Sequence, residues 1–410
     1  MEEHISVERA LAMLQEQLLP VAAVETVDVA ACFGRVLGED ITSSCHVPPH
    51  DNAAVDGYGI SGHEPLKVGQ TWDIITDAGA GDDIQMTLKA GQAVRVLTGA
   101  NLSVIGGLDT VLMDEHCHRA ASKLTLQKAD NLRQGVNYRH RGEDIKKGQN
   151  VLEQGVRLRP QDMAILAAIG RTSLAVRRPL RVGILSSGNE VHDPHQGSLP
   201  VSGIYDSNRY GLRGLLQAAG AVVDDLGIIA DDAKSTAKML KKGAETNDLL
   251  VTSGGISASQ SDHIGAVLRA GALSFWRLRM KPGRPLAFGM LGKTPILALP
   301  GNPVAVMVTF MIFVRCVLHI MGGRTWQGWR RYPLTAQFAM KKKAGRREWL
   351  RAVLQEKEGA VTGVTLFPKK GAGILTSLVH SHGLVDLAEE RQQVTEGERV
   401  LFTPWTELLW

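Results

Sequence analysis

Apolar positions over residues 5–19, ISVERALAMLQEQLL, recur at helical spacing, and Ser6 is placed to cap the helix they predict. Residues 24–60 change to short β-rich runs and then VPPHDNAAVDGYGI, where Pro48-Pro49 and Asp51-Asn52 fix a loop. From 64 to 150 short strands alternate with turn signals (LKVGQTWDII, QAVRVLTGA, LDTVLMDE, KLTLQKA), the pattern of an all-β module. PQDMAILAAIG at 160–170 returns to helix, with Pro160 near its start and Gly170 just past its end. Helices on both sides of the β module predict a discontinuous N-terminal helical domain, residues 1–42 and 145–177, with a β-rich domain inserted at 43–144.

From 180 the pattern is regular. PLRVGILSS, AVVDDLGIIA and NDLLVTSGG are near-continuous apolar strands, separated by helices DSNRYGLRGLLQAAG and DDAKSTAKMLKKGAE. SDHIGAVLRAG is a helix, ALSFWRLRM, PLAFGML and TPILALP are strands, and a long helix follows Pro303. Such alternation predicts a three-layer α/β domain over 178–325 with a mostly parallel sheet covered on both faces. After Gly322-Gly323 the runs RRYPLTAQFA, REWLRAVLQ, GAVTGVTLF, GLVDLAE and RVLFTPW predict a small C-terminal β-barrel-like domain, 326–410. The fold class is therefore multidomain α/β plus β.

Composition narrows the function more than the fold. A length of 410 residues allows two to four domains, and 44% apolar with 21% charged residues is the balance of a globular protein. Glycine stands out at 44 residues, without period or Gly/Ser tract, which points to turns and ligand-approach loops. Lys+Arg exceed Asp+Glu by 46 − 42 = 4, too even a balance for a nucleic-acid binder. Lys341-Lys342-Lys343 with Arg346-Arg347 are expected to be solvated loops. MEEHISVERA does not read as a secretory signal. Val304 to Met321 is membrane-like in length but holds Arg315 and His319, so it is expected to be a buried helix. Cys32, Cys45, Cys117 and Cys316 form no CxxC pair and are expected to be reduced thiols in the cytoplasm. His116-Cys117-His118 is a poor metal site, because three consecutive residues of a strand or helix cannot all face one ion.

Three glycine-bearing loops follow α/β strands: SSGNE (Ser186 to Glu190), TSGGIS (Thr252 to Ser257) and LPGNP (Leu299 to Pro303). Loops at the carboxyl ends of parallel strands converge on one crevice, and glycines there let backbone N–H groups approach an anion. Ser187, Gly188, Gly254, Gly255, Pro300, Gly301, Asn302 and Pro303 are thus candidate contacts to a phosphate-bearing ligand. Glu190, Asp231 and Asp262 stand beside these loops, either as helix caps or as the hard oxygen ligands that Mg²⁺ takes beside phosphate. Lys281 and Arg284 in MKPGRP bring fixed positive charge on a proline-held loop, suited to an oxyanion. In the β module, DNAAVDGYG (Asp51, Asn52, Asp56), RVLTGA (Thr98) and NYRHRGED (Arg139, Glu143, Asp144) carry more charge than their turns require.

These motifs, with GIYDSNR and LPGNPVAV, occur in the order found in molybdopterin molybdenumtransferases, and the chain resembles that family: the bacterial MoeA type, related to the E domain of gephyrin and its plant counterpart. The resemblance runs from the first helix into the terminal β domain. It implies that the α/β domain binds molybdopterin and that molybdate is inserted into adenylylated molybdopterin with release of AMP, supported by Mg²⁺. It also implies a homodimer whose cleft lies between the α/β domain of one subunit and the β module of the other, with cofactor acceptor or biosynthesis proteins as further partners and no nucleic acid or membrane. By motif, Asp56, Asp144, Lys281 and Arg284 match catalytic residues; Glu190, Asp231 and Asp262 match metal ligands; Ser257, Pro285, Thr98 and Arg139 match substrate contacts.

The sequence departs from the family pattern at four places. DNSAMDGYA becomes DNAAVDGYG with Ala53, GGVSxG becomes GGISAS with Ser259, LPGNPVS becomes LPGNPVA with Ala305, and the GSG-type turn reads Gly371-Ala372-Gly373. The lost hydroxyls leave an alternative open, a weakly active or non-catalytic paralogue that carries molybdopterin or the finished cofactor.

Overall fold

The computed structural model describes residues 3–62, 66–129, 132–229, 232–255 and 273–409. The chain divides into two compact units, one of residues 1–25, 34–38 and 176–410, the other of residues 26–33 and 39–175.

The first unit is built on a seven-stranded sheet. Its strands are β1 (Glu3–Ile5), β2 (Arg181–Ser187), β3 (Val222–Ile229), β4 (Leu249–Ser253), β5 (Leu273–Leu278), β6 (Pro285–Leu291) and β7 (Thr294–Leu299), in spatial order β1-β5-β6-β7-β4-β2-β3. Four of the six pairings are parallel, as the strand–helix alternation predicts. The β5–β6 and β6–β7 pairings are antiparallel. At the second, the chain reverses through Gly292-Lys293, with Gly292 at φ +64°. The predicted first helix is α1 (Val7–Gln17), capped at Ser6, whose Oγ accepts from Arg9 N–H at 3.1 Å. The three residues before it join the sheet edge beside β5, an element too short to leave a period in the sequence.

Helices α2 (Ser207–Ala218) and α3 (Ala233–Thr246) fill the predicted connections. The long helix α4 (Pro303–Met321) contains one wider turn at Phe310–Val314. It is long and apolar enough to cross a membrane, yet most of it is buried in the fold. Phe310, Phe313 and Val317 pack in one core with Val7 and Leu14 of α1 and Val182, Ile184, Leu297 and Leu299 of the sheet. Its two polar interruptions are absorbed by Trp326: the Arg315 guanidinium lies 6.0 Å from the ring, and the His319 ring packs on it edge-to-face at 5.1 Å.

The terminal β region comprises β8 (Tyr332–Thr335), β9 (Arg347–Lys357), β10 (Ala360–Leu366), β11 (Gly383–Leu387) and β12 (Arg399–Pro404) around Ala352, Val364, Val385 and Phe402. A two-residue strand, Met280–Lys281, pairs in parallel with β9 at Arg347 and Glu348. That pairing fixes Lys281 against the terminal β region.

The second unit is β-rich, as expected. Its six-stranded sheet runs in the order Thr110–Met113, Gly57–Ile60, Gln92–Val96, Thr71–Ala78, Lys123–Leu126, Cys117–Ala120. Ile60, Trp72, Leu112 and Leu124 form one of its cores. The helix Pro160–Ala168 starts at its proline, with Asp162 accepting from Arg159 N–H at 2.8 Å. All four cysteines are free, and burial pushes the Cys117 and Cys316 thiols up to about 12.

Candidate functional site

Strands β2, β4 and β7 are neighbours, so the three glycine loops that follow them meet at one end of the sheet. They line a cavity of about 990 Å³. Gly254 stands at φ +84° and donates to Leu299 O at 3.1 Å, which ties the second loop to the third. A β-carbon on Gly254 would lie 3.1 Å from the Ser187 carbonyl, so the first two loops approach at backbone distance. The buried Ser186 and Ser253 hydroxyls lie 3.3 Å apart beneath them. From the start of α2, Asn208 Nδ2 donates to Gly301 O at 2.7 Å and fixes the third loop.

Glu190 also lines this cavity, with its carboxylate folded back over Gly188. Its own carbonyl accepts from Ile204 N–H at 2.7 Å, which ties that loop to the α2 approach. Asp206 of that approach is buried and committed: it caps α2 and takes Arg209 Nε at 3.0 Å.

Facing the glycine loops is the MKPGRP loop. Lys281, Arg284 and Pro285 line the cavity together with Ser187, Gly188, Gly254, Gly255, Pro300, Gly301, Asn302 and Pro303. Lys281 Nζ lies 3.8 Å from the buried Glu348 carboxylate, which also accepts from Arg346 Nε at 2.8 Å. Leu278 N–H donates to Arg284 O at 2.8 Å and closes the loop. Ala305, the departure from the family's serine, is a buried wall residue whose carbonyl accepts the Thr309 hydroxyl at 2.7 Å. Ala372 lines the wall as well, and its carbonyl accepts Val304 N–H at 2.9 Å, satisfying one of the open donors at the start of α4.

The terminal β region supplies cations that the sequence reading missed. Lys341 and Lys343 are exposed, as expected of a solvated segment, and line the same cavity with the half-buried Lys342 and Arg346. Lys342 Nζ donates to the carbonyls of Arg346 at 2.7 Å and Glu389 at 3.2 Å, and burial draws it below the ordinary lysine range. Arg351 is half-buried in the wall, held by Ser377 Oγ at 3.0 Å and Gly371 O at 2.9 Å, with burial lowering its pKa and no ion pair to a carboxylate among the described residues. Arg347, Trp349 and Arg351 share one face of β9, but Glu348 and Leu350 of the other face line the cavity and Arg347 does not, so period two alone does not single Arg351 out.

The second unit assembles its own polar groups. Asp56 Oδ1 accepts from Thr98 Oγ1 at 2.6 Å and Thr98 N–H at 2.7 Å, and these bonds hold its carboxyl below the usual carboxylate range. Arg139 Nε donates to Glu143 at 2.5 Å, so this cation is paired locally. Tyr138 and Arg141 converge on Asp51, at 2.7 and 2.6 Å, and Asn52–Ala53 pairs with Tyr138–Arg139. Asp144 is exposed, its N–H donating to Val47 O at 3.1 Å. Asp231, Ser257, Ser259 and Asp262 lie outside the described residues. Among the described residues no group of three or more His, Cys, Asp or Glu is placed to hold a metal ion.

An α/β sheet that gathers three glycine loops and a rigid cationic loop at one cavity has the geometry and charge suited to an anionic, phosphate-bearing ligand. Comparison with known proteins gives the family. Residues 5–170 match the MoeA N-terminal region (domain I and II), residues 183–319 a probable molybdopterin binding domain, and residues 333–405 the MoeA C-terminal region (domain IV). The molybdopterin molybdenumtransferase of Haemophilus influenzae is 32% identical over 407 residues, spanning 99% of this chain and 100% of that one. Molybdopterin molybdenumtransferase 2 of Mycobacterium tuberculosis is 29% identical over 413 residues, at 97% and 98% coverage. The crystal structure of the molybdopterin biosynthesis moeA protein from Pyrococcus horikoshii superposes with a TM-score of 0.83 at 28% identity, covering 98% of this chain and 100% of that one. The chain belongs to the molybdopterin molybdenumtransferase family of transferases and has its multidomain fold.

Proposed function

We propose that this protein inserts molybdate into adenylylated molybdopterin and releases AMP, acting in the cytoplasm as a Mg²⁺-dependent homodimer. The observation that supports this most is the single cavity lined by all three glycine loops and by Lys281 and Arg284. Cleaving a phosphoanhydride calls for charge neutralisation and positioning more than for a strong nucleophile. In this reading the loop N–H groups hold the phosphates, while Lys281 and Arg284 face the molybdate oxyanion. Arg351, which has no ion-paired carboxylate among the described residues, adds a fixed cation to the same wall.

One described residue, Glu190, suits a hard cation. Glu190 offers carboxylate oxygens at the cavity wall, beside the phosphate-type loops. Glu190, Asp231 and Asp262 would hold Mg²⁺, which when bound neutralises phosphate charge and orients its oxygens. Asp56, Asp144, Thr98 and Arg139 act, in this reading, from the β module of the partner subunit. Asp56 suits such a role, because its paired bonds from Thr98 keep the carboxylate ionised and fixed in direction.

Ala305 favours a second reading, a paralogue that carries the pterin without inserting metal, since the cavity wall there lacks the family's hydroxyl. Purified protein with adenylylated molybdopterin and Mg²⁺, with and without molybdate, separates the two. We expect AMP release that depends on molybdate; pterin binding with no such release sinks the enzyme reading and leaves the carrier.

A further inference from the structure

The cavity is far more basic than the chain. Among its described lining residues nine Lys and Arg face three carboxylates, an excess of six, whereas the whole chain carries +4. The remaining residues therefore sum to −2, and the positive charge of this protein is concentrated at one cavity. Six of the nine cations are exposed; two of them, Lys281 and Arg284, belong to the MKPGRP loop, and the other four, Lys341, Lys343, Lys369 and Lys370, belong to the terminal β region, where none of the four forms an ion pair with a described carboxylate. Lys341 ends a two-residue strand, Met340–Lys341, and the other three stand on loops of the terminal β region; none is needed to complete the phosphate cradle described above. Glu348, the acid of that wall among the described lining residues, is buried and shared by Lys281 and Arg346.

We propose that Lys341, Lys343, Lys369 and Lys370 form an electrostatic capture rim that draws phosphate-bearing anions into the cavity and hands them to the glycine loops. This rests on the function proposed above for the identity of the natural anion, a pyrophosphate-linked pterin nucleotide, but not for the capture itself. Clefts lined by one sign of charge focus the field and raise association rates by about 10- to 1,000-fold. The effect acts through solvent and is screened over roughly 10 Å at 0.1 M salt, so its mark is a rate that falls steeply with ionic strength. A rim of this kind changes how fast the ligand arrives and leaves the chemistry of the bound complex alone.

The test is stopped-flow association of a fluorescent ADP analogue (a nucleotide diphosphate that needs no turnover) with the intact protein, from about 20 mM to about 300 mM salt. The quadruple variant Lys341→Gln, Lys343→Gln, Lys369→Gln, Lys370→Gln is expected to associate about ten-fold or more slowly at low salt, to lose most of the salt dependence, and to converge with the parent at high salt. The corresponding four Lys→Arg changes should retain the parent rate. A control carries the same loss of charge elsewhere: Lys234→Gln, Lys238→Gln, Lys241→Gln and Lys242→Gln on α3, a helix outside the cavity lining. It should associate like the parent. An unchanged rate in the rim variant, an equal loss in the α3 variant, or no binding of the analogue to the parent overturns the proposal. Rim-dependent capture without molybdate-dependent AMP release would instead overturn the molybdenum-transfer reading and leave the rim in place.

Discussion

At Gly283 the backbone stands at φ +95°, and a β-carbon there would lie 2.5 Å from the Thr309 methyl carbon. The loop carrying Lys281 and Arg284 thus rests directly on α4, and only glycine allows both the turn and the approach. Gly283→Ala should cost about 1–3 kcal/mol, from backbone strain and from the clash, and should weaken anion binding by shifting the two cations. Thr309→Ser keeps the hydroxyl that bonds Ala305 O but removes the methyl, so the double variant should recover the steric part and not the strain. Urea unfolding and an anion titration on the three variants check this; equal stability of parent and Gly283→Ala would refute it. This glycine was legible in the sequence because two prolines and two cations surround it. Arg351 was not: as one of two arginines spaced at β period it reads as a solvent-facing strand residue. Its partners, Gly371 O and Ser377 Oγ, lie 20 and 26 positions away, and only the fold brings them together.

Among the elements, β2 and β4 are clasped at their starts by Asp248. Its carboxylate takes both terminal nitrogens of Arg178 at 2.7 Å and Arg181 N–H at 2.8 Å, while its own N–H donates to Arg181 O at 2.8 Å. Burial pushes this carboxyl up, but the Arg178 pair and the Arg181 amide outweigh it, and the carboxyl sits below its ordinary range. A depressed carboxyl stabilises the fold at pH values above its unfolded pKa, about 3.9, and that contribution is lost as pH falls through the lower folded value. Asp248→Asn should therefore cost about 1–3 kcal/mol at pH 7, with the gap to the parent closing below about pH 4. Denaturant melts of the pair at neutral and acid pH decide it, and a pH-independent gap would refute the electrostatic account. The strands themselves were legible as apolar runs between helices. What was not legible was the edge strand β1 and the pairing of Met280–Lys281 with β9, because neither is long enough to show a period. That second pairing brings the start of β9, and the exposed lysines just before it, to the cavity beside Lys281.

For the whole molecule, the two compact units carry separate cores. Val182, Leu297, Phe310 and Phe313 belong to the first, while Ile60, Trp72, Leu112 and Leu124 belong to the second. Units with their own cores unfold as separate cooperative blocks unless their interface is large and apolar. Thermal unfolding followed by calorimetry should thus give a calorimetric enthalpy larger than the van't Hoff value of its main transition. Leu112 is fully buried among its neighbours, so Leu112→Ala should remove about 2–5 kcal/mol from the second unit. The transition that moves with Leu112→Ala identifies the second unit. The other should stay in place and should be the one raised by a bound diphosphate, since the described residues that line the cavity belong to the first unit. A single sharp transition that shifts as a whole with Leu112→Ala would show that the units unfold together, and would mean that core damage in the second unit reaches the site through global stability.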